Sequence, residues 1–257
     1  MRHIFILNGI IKLFMLEITQ HDGPARLGKF NEIRSPGLIE PENPFKLIKD
    51  EPVPYDIPKT LAEWSVRKTI KYAKDSPENG IGTIHGSKYL DLRIKCAKEL
   101  EKLGINIFLI ANGDKLLKRQ KDLINIIVNL RKTLNPNSAI YFPLVDLSFI
   151  PLLTYMGVDF FGSYVCDYYA RLNTIITPTL KYNLKEYPIY DLDYEEIRKY
   201  NHNTLDFVIR EIRENIKNGT LRNLVEMRCC TSPETMSALR ILDKEYPEYL
   251  EKYTRLY

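Results

Sequence analysis

Beyond residue 80 the chain alternates short apolar runs with longer stretches in which apolar residues recur every three or four positions. The run IGTIH precedes an amphipathic stretch over 89–103 that Gly104 ends, INIFLI precedes one over 114–134, AIYFPLV precedes one over 148–156, and VDFFGSYV closes the series. Apolar runs of this length bounded by turn residues read as strands buried on both faces, and the stretches between them as helices with one buried face. The order predicts parallel βα units.

Upstream the pattern changes. LEITQ and ARLGKF flank an HDGP turn and predict a β-hairpin within 16–40, followed by a Pro36-Gly37 turn into LIE. Pro41, Pro44, Pro52, Pro54 and Pro58 make 41–60 extended connecting chain, because proline breaks a helix interior. A helix is expected from Leu61 to Ala73. Downstream, Leu205, Val208, Ile209, Ile212 and Ile216 share one face of a helix over 201–218 that Asn218-Gly219 ends. Ser232-Pro233-Glu234 caps a further helix carrying Met236, Leu239 and Leu242, which leads into a tail with Tyr246, Tyr249, Tyr253 and Tyr257. These stripes read as core. Arg198, Arg210, Arg213, Arg222 and Arg228 read as a solvated helix face, the alternative being contact with a phosphate backbone.

Parallel βα units build either an open doubly wound sheet or a closed barrel, and both present ligands to the C-terminal ends of the strands. Here those ends carry His85-Gly86-Ser87, Ala111-Asn112-Gly113-Asp114, Asp146 and Gly162-Ser163, small or polar residues at four successive ends. No Gly-x-Gly-x-x-Gly or Gly-Lys-Ser/Thr string occurs, so no dinucleotide or nucleoside triphosphate cofactor is expected.

A chain of 257 residues that is 44% hydrophobic can bury a sizeable core. The net charge of +4 permits contact with a polyanion without demanding it, since 37 basic residues face 33 acidic ones. Cys96, Cys166, Cys229 and Cys230 contain no Cys-x-x-Cys pair, which predicts neither a metal site nor a disulfide framework and points to a reducing cytoplasm. The opening MRHIFILNGIIKLF is interrupted by Asn8, Gly9 and Lys12 and is too short to span a bilayer. Residues 1–14 read as an extension, with Met15 an alternative start, and 15–257 as one domain.

ARLG near the start, HGSKYLDLR in mid-chain, GVDFF followed by Ala170-Arg171, and His202-Asn203 ahead of IREIRENIKNGTLRNLVE stand in an order that resembles the tRNA-guanine transglycosylase superfamily. Within it the chain is most similar to the catalytic region of archaeosine synthases, over roughly residues 15–257. The resemblance implies a TIM-type (β/α) barrel that grips a deazaguanine base, with tRNA across its strand ends. Too few strand-like runs precede Ile81 for eight units, so a trimmed or irregular α/β barrel is expected, with an N-terminal hairpin and C-terminal helices.

By the same resemblance, His85-Gly86-Ser87 falls where transglycosylases have a Gln-Gly segment on the base, and Asn112-Gly113 where they have a Gly-Gly pair packed against it. Gly162 falls where they have the Asp that attacks the ribose. Glycine has no side chain to form a glycosyl intermediate. The Asp-Ser-Gly segment carrying a second Asp and the Cys-rich zinc site have no match either, so base exchange is not expected. Archaeosine synthases leave the glycosidic bond intact. The resemblance implies addition of an amine, lysine, to the nitrile of 7-cyano-7-deazaguanine in the D-arm of tRNA.

That chemistry needs a group to take the amine's proton and a donor to the nitrile nitrogen. Asp146 and Asp167 are candidates for proton acceptance or ammonium binding, Ser163 for the donor, and Cys166 for a thioimide-forming thiolate, against the simpler reading of a structural thiol. The implied partners are tRNA carrying the nitrile base, lysine, a second subunit with an RNA-binding module that makes this chain half of a split enzyme, and a radical-SAM enzyme that cleaves the lysine adduct. Two readings stay open beside it. One is a catalytically inactive barrel that binds tRNA or scaffolds an active subunit. The other is an α/β enzyme acting on a small phosphorylated substrate.

Overall fold

The computed structural model describes residues 15–40, 43, 45–76 and 80–252, together with the backbone of 5–7 and 10–12. Within the stretch read as an extension, β1 (Phe5–Leu7) and β2 (Ile10–Lys12) pair antiparallel. β3 (Glu17–Asp22) and β4 (Ala25–Phe30) form the hairpin expected around HDGP, with Asp22 opposite Ala25. Gly23 in its turn has φ +59°, a conformation that strains any side chain. β5 (Ile33–Ser35) adds a third antiparallel strand that the pattern does not predict, being too short to show alternation.

Pro36-Gly37 redirects the chain into β6 (Gly37–Leu38), which leaves that sheet. β7 (Lys46–Leu47) is a two-residue strand inside the proline-rich stretch, whose Pro41 and Pro44 lie outside the described residues. The expected alternation then follows: α1 (Lys59–Lys74), β8 (Gly80–Ile84), α2 (Leu90–Lys102), β9 (Ile107–Ile110), α3 (Gly113–Leu116) and α4 (Gln120–Thr133), β10 (Ala139–Phe142), α5 (Ile150–Tyr155) and β11 (Phe160–Phe161). Most bounds shift by one to three residues, β10 for example ending at Phe142 ahead of Pro143, and two differences are larger. The helix expected over 114–134 is broken between Leu116 and Gln120. VDFFGSYV is strand only at its centre, because Gly162-Ser163 turns the chain into α6 (Tyr164–Arg171).

The strands lie in the order β6-β11-β10-β9-β8-β7, all parallel, as a curled half-barrel. β6 and β7 are consecutive in the chain yet occupy opposite edges, the connectivity of a barrel that has been trimmed. Side chains alternate between two cores. Phe108, Ile110, Ile140, Phe142 and Phe161 pack with the helices. Ile81, Ile107, Ala139 and Phe160, each at or near the start of its strand, pack with Leu16, Phe30 and Ile39. The three-stranded sheet thus seals the N-terminal ends of the parallel strands, and loops crown the C-terminal ends.

β12 (Thr174–Ile176) and β13 (Lys181–Asn183) form a hairpin absent from the sequence reading. α7 (Tyr194–Asn218) begins seven residues before the apolar stripe suggests, because Asp193 and Glu196 make a reciprocal capping box; Gly219, φ +70°, ends it. α8 (Leu221–Cys229), α9 (Pro233–Glu245) with its Ser232 cap, and α10 (Pro247–Glu251) complete the chain. Tyr253 and Tyr257 lie outside the described residues. No helix among the described residues is long and apolar enough to cross a membrane.

Candidate functional site

The C-terminal ends of β8 and β9 are shaped around Arg93, a residue the sequence reading passed over. Arg93 lies on the apolar face of α2 between Leu92 and Cys96 and is fully buried. Its Nε donates to Ser87 O at 2.8 Å, and its two terminal nitrogens donate to Ile84 O and Ala111 O at 3.3 and 3.1 Å. Burial pushes its pKa down to about 10, so it is still charged near neutrality. A Cβ on Gly86, φ +144°, would stand 2.6 Å from Arg93 N, which explains the glycine of the His-Gly-Ser turn.

The chain from Asp50 to Ile57 crosses these ends as a strap. His85 Nε2 meets Asp50 Oδ2 at 2.8 Å, Ser87 Oγ donates to Pro54 O at 3.0 Å, and Asn112 Nδ2 donates to Val53 O at 2.9 Å. Tyr55 donates to Asp122. Burial opposes ionisation of Asp50, but the hydrogen bonds it accepts, first from His85, outweigh that and lower its pKa from 3.8. Ser87 and Asn112 therefore hold the strap's backbone, and His85 its Asp50 carboxylate. Beneath the strap, His85 Nδ1 and Asn112 Oδ1 are buried with no hydrogen-bond partner among the described residues.

At β11 the packing is tight around a residue with no side chain. A Cβ on Gly162 would collide with the Pro143 carbonyl and stand 3.1 Å from Tyr141 Oη, so a larger residue requires the backbone to shift. Ser163 is buried, and its hydroxyl donates to Glu40 Oε2 at 2.5 Å. That proton is committed within the protein. Glu40, just beyond β6, was missed because nothing in its local sequence ties it to a strand end 123 residues away.

Past the ends of β9 to β11 opens a cavity of about 690 Å³ bordered by Asp114, Leu144, Asp146, Tyr168, Tyr169 and Lys181. Asp146 accepts from Tyr169 Oη at 3.0 Å and from Lys181 Nζ at 3.0 Å, and Lys181 also donates to Tyr169 Oη at 2.9 Å. Burial works against the Lys181 charge, but Tyr169 and Asp146 outweigh it and raise its pKa above 10.5. Burial and Asp146 raise the Tyr169 pKa in spite of Lys181. At neutral pH the triad holds an ammonium and a protonated phenol against one carboxylate. Leu144, Tyr168 and Leu180 border the same cavity with 45%, 57% and 49% of their surface exposed, an apolar rim around a polar floor. Tyr169 and Lys181 lacked any spacing signal, since β13 itself was not foreseen.

Asp167 faces elsewhere. It accepts from Arg198 Nε at 2.7 Å and meets His202 Nε2 at 3.2 Å, joining α6 to α7, and these bonds lower its pKa although burial pushes it up. The structure does not bring Asp167 together with Asp146. Cys166 is fully buried and its thiol is pushed up to about 12 by burial, the environment of a structural thiol. Five arginines of the C-terminal helices are engaged within the chain: Arg198 with Asp167, Arg210 with Asp206, Arg213 with Pro36 O, Arg222 with Asp243 and Arg228 with Glu211.

The sequence model of the family described as queuine tRNA-ribosyltransferase matches residues 46–199, more than half of the chain. The chain belongs to this family. The tRNA-guanine(15) transglycosylase of Methanocaldococcus jannaschii is 30% identical over 98% of this chain and 45% of its own length. That of Pyrococcus furiosus is 30% identical over 79% of this chain and 39% of its own length. Archaeosine synthase of Methanocaldococcus jannaschii is 34% identical over 64% of this chain and 26% of its own length. The chain spans less than half the length of these relatives. The segment matched to the queuine tRNA-ribosyltransferase family begins at β7 and ends within α7, so it contains β7 to β11 and the Asp146-Tyr169-Lys181 triad.

Proposed function

We propose that this chain modifies tRNA in the archaeosine pathway, adding lysine to the nitrile of 7-cyano-7-deazaguanine while leaving the base on its ribose. The observation that carries this reading is Gly162: the position where the resemblance implies a ribose nucleophile has no side chain, and a Cβ there would meet the Pro143 carbonyl unless the backbone shifts. The base would enter the cavity past the ends of β9 to β11, between Asp114 and Asp146, and stack on the exposed Tyr168 ring. His85, Ser87 and Asn112 are engaged by the strap and do not border this cavity.

Addition forms one C–N bond and converts the nitrile triple bond to a double bond. The incoming amine loses a proton and the nitrile nitrogen gains one. Asp146 would bind the lysine ammonium or take its proton. Lys181 and Tyr169, both protonated donors, would serve the nitrile nitrogen, with Ser163, whose proton goes to Glu40, and Asp167 outside this step. On this reading a second subunit with an RNA-binding module supplies tRNA affinity, and a radical-SAM enzyme resolves the adduct.

A second reading, a tRNA-binding scaffold without chemistry, draws on the strap, which occupies the β8 and β9 ends. One variant separates the two. The chain is incubated with its partner subunit, lysine and nitrile-bearing tRNA, and the nucleosides are weighed. Wild type yields the lysine adduct, and Asp146→Asn forms it about 10²–10⁴-fold more slowly while binding tRNA normally. No adduct from wild type, or an unchanged rate in Asp146→Asn, contradicts the proposal.

A further inference from the structure

Asn201 stands at the helical spacing of Ile197 and Leu205 in the buried stripe of α7, and none of its surface is exposed. An amide in an apolar stripe costs stability unless its bonds are made. Here they are. Nδ2 donates to Cys166 O at 3.2 Å and to Thr174 O at 3.1 Å, and Oδ1 accepts from Ile176 N at 2.8 Å. β12 and β13 form a sheet of two strands. To the open edge of β12 the Asn201 amide makes the pair of bonds that a neighbouring strand would make.

These bonds hold the supports of two working groups at once. Cys166 lies one turn before Tyr169 in α6, and Ile176 stands opposite Lys181 in the hairpin. Tyr169 and Lys181 are the two donors to Asp146, each at 3.0 Å. Asp146 belongs to another part of the molecule, since its neighbours Val145 and Leu147 are buried in the main core. Ala170 of α6, Ile175 and Leu184 of the hairpin and Ile197 of α7 form a small apolar cluster apart from that core. The distance from carboxylate to donors is therefore set where α7 meets α6 and β12. Asp167, held by Arg198 and His202, also ties α6 to α7, but it makes no bond to the hairpin.

We propose that Asn201 is a positioning residue for this site: its amide fixes Tyr169 and Lys181 against Asp146 without itself bordering the cavity. Groups that act on a reacting atom must be held to within a fraction of an ångström, and hydrogen bonds from behind supply that precision. The role rests on the reading of the triad as the groups that add the amine to the nitrile. The spacing itself can be measured without any substrate.

A lysine whose ammonium is held by two partners acetylates more slowly than a free one. In trace labelling of the full chain with acetic anhydride near pH 8, read residue by residue by mass spectrometry, Lys181 should react more slowly than the exposed Lys185. Asn201→Leu, of similar bulk and without polar atoms, should raise the ratio of Lys181 to Lys185 labelling about three- to tenfold, tenfold being the change in free amine that one pKa unit makes. Asn201→Ser should raise it in the same direction and serves if Asn201→Leu does not fold. Leu205→Ala, one turn along the same buried face, loosens the α7 packing without touching the amide and should leave the ratio at its wild-type value.

A ratio that the Asn201 variants leave unmoved, or that Leu205→Ala raises equally, overturns the role, as does a wild-type Lys181 that reacts as fast as Lys185. In the lysine-adduct assay Asn201→Leu should be about ten- to hundredfold slower at saturating tRNA with tRNA binding unchanged, and a wild-type rate in that variant also overturns the role. If wild type forms no adduct, the nitrile chemistry fails, and the labelling ratio still decides whether Asn201 holds the triad.

Discussion

Arg93 shows how a single side chain turns a sequence motif into architecture. Its guanidinium ties the end of β8 to the start of the loop after β9: Ser87 O and Ala111 O depend on it, while Ile84 O also accepts from Ala111 N. Arg93→Met should fold less stably by several kcal/mol in denaturant titration, since two buried carbonyls would be left unsatisfied at about 1–3 kcal/mol each. A loss under about 1 kcal/mol would mean that the turn holds itself. The residue was legible in principle, because it stands at the helical spacing of Leu92, Cys96 and Leu100 where a solvated arginine does not belong. Thiol chemistry offers a second check at this scale. Cys96, Cys166 and Cys229 are buried, with pKa values pushed up to about 12, while Cys230 is exposed. An alkylating reagent should therefore modify one thiol per native chain and four after unfolding. Rapid native labelling of Cys166 would revive a thioimide route.

Among elements, the strap from Asp50 to Ile57 separates what the sequence reveals from what it hides. Five prolines announced extended chain across 41–60, but composition cannot say which surface an extended segment crosses. The crossing is fixed by pairs far apart in sequence, His85 with Asp50 and Asn112 with Val53. The same limit applies to Asp146, whose partners Tyr169 and Lys181 arrive from a helix and an unforeseen hairpin. The Asp50 pKa is lowered on folding, so its contribution is present above the ordinary 3.8 and is lost as pH falls through the lowered value. Asp50→Asn should thus be less stable than wild type near neutrality, and the gap should close below about pH 4. A gap that persists unchanged into acid would show that the His85 contact is not what holds the strap.

For the molecule as a whole, periodicity was enough to place the βα units and the parallel sheet, because each strand and helix writes its own pattern locally. The half-barrel was less legible. β6 and β7 are two residues long and carry no period, yet they form the two edges of the sheet. The resulting molecule has a tyrosine-rimmed cavity with a polar floor at its strand ends and, at the end of β11, Gly162 in packing that a Cβ would disturb. Whether such a barrel can sever a base from its sugar is best decided by base exchange. The chain, alone and with the proposed second subunit, is incubated with unmodified tRNA and radiolabelled guanine or 7-cyano-7-deazaguanine, and label in the tRNA is counted. The account predicts none, under conditions where nitrile-bearing tRNA gains lysine. Label entering the tRNA would contradict it.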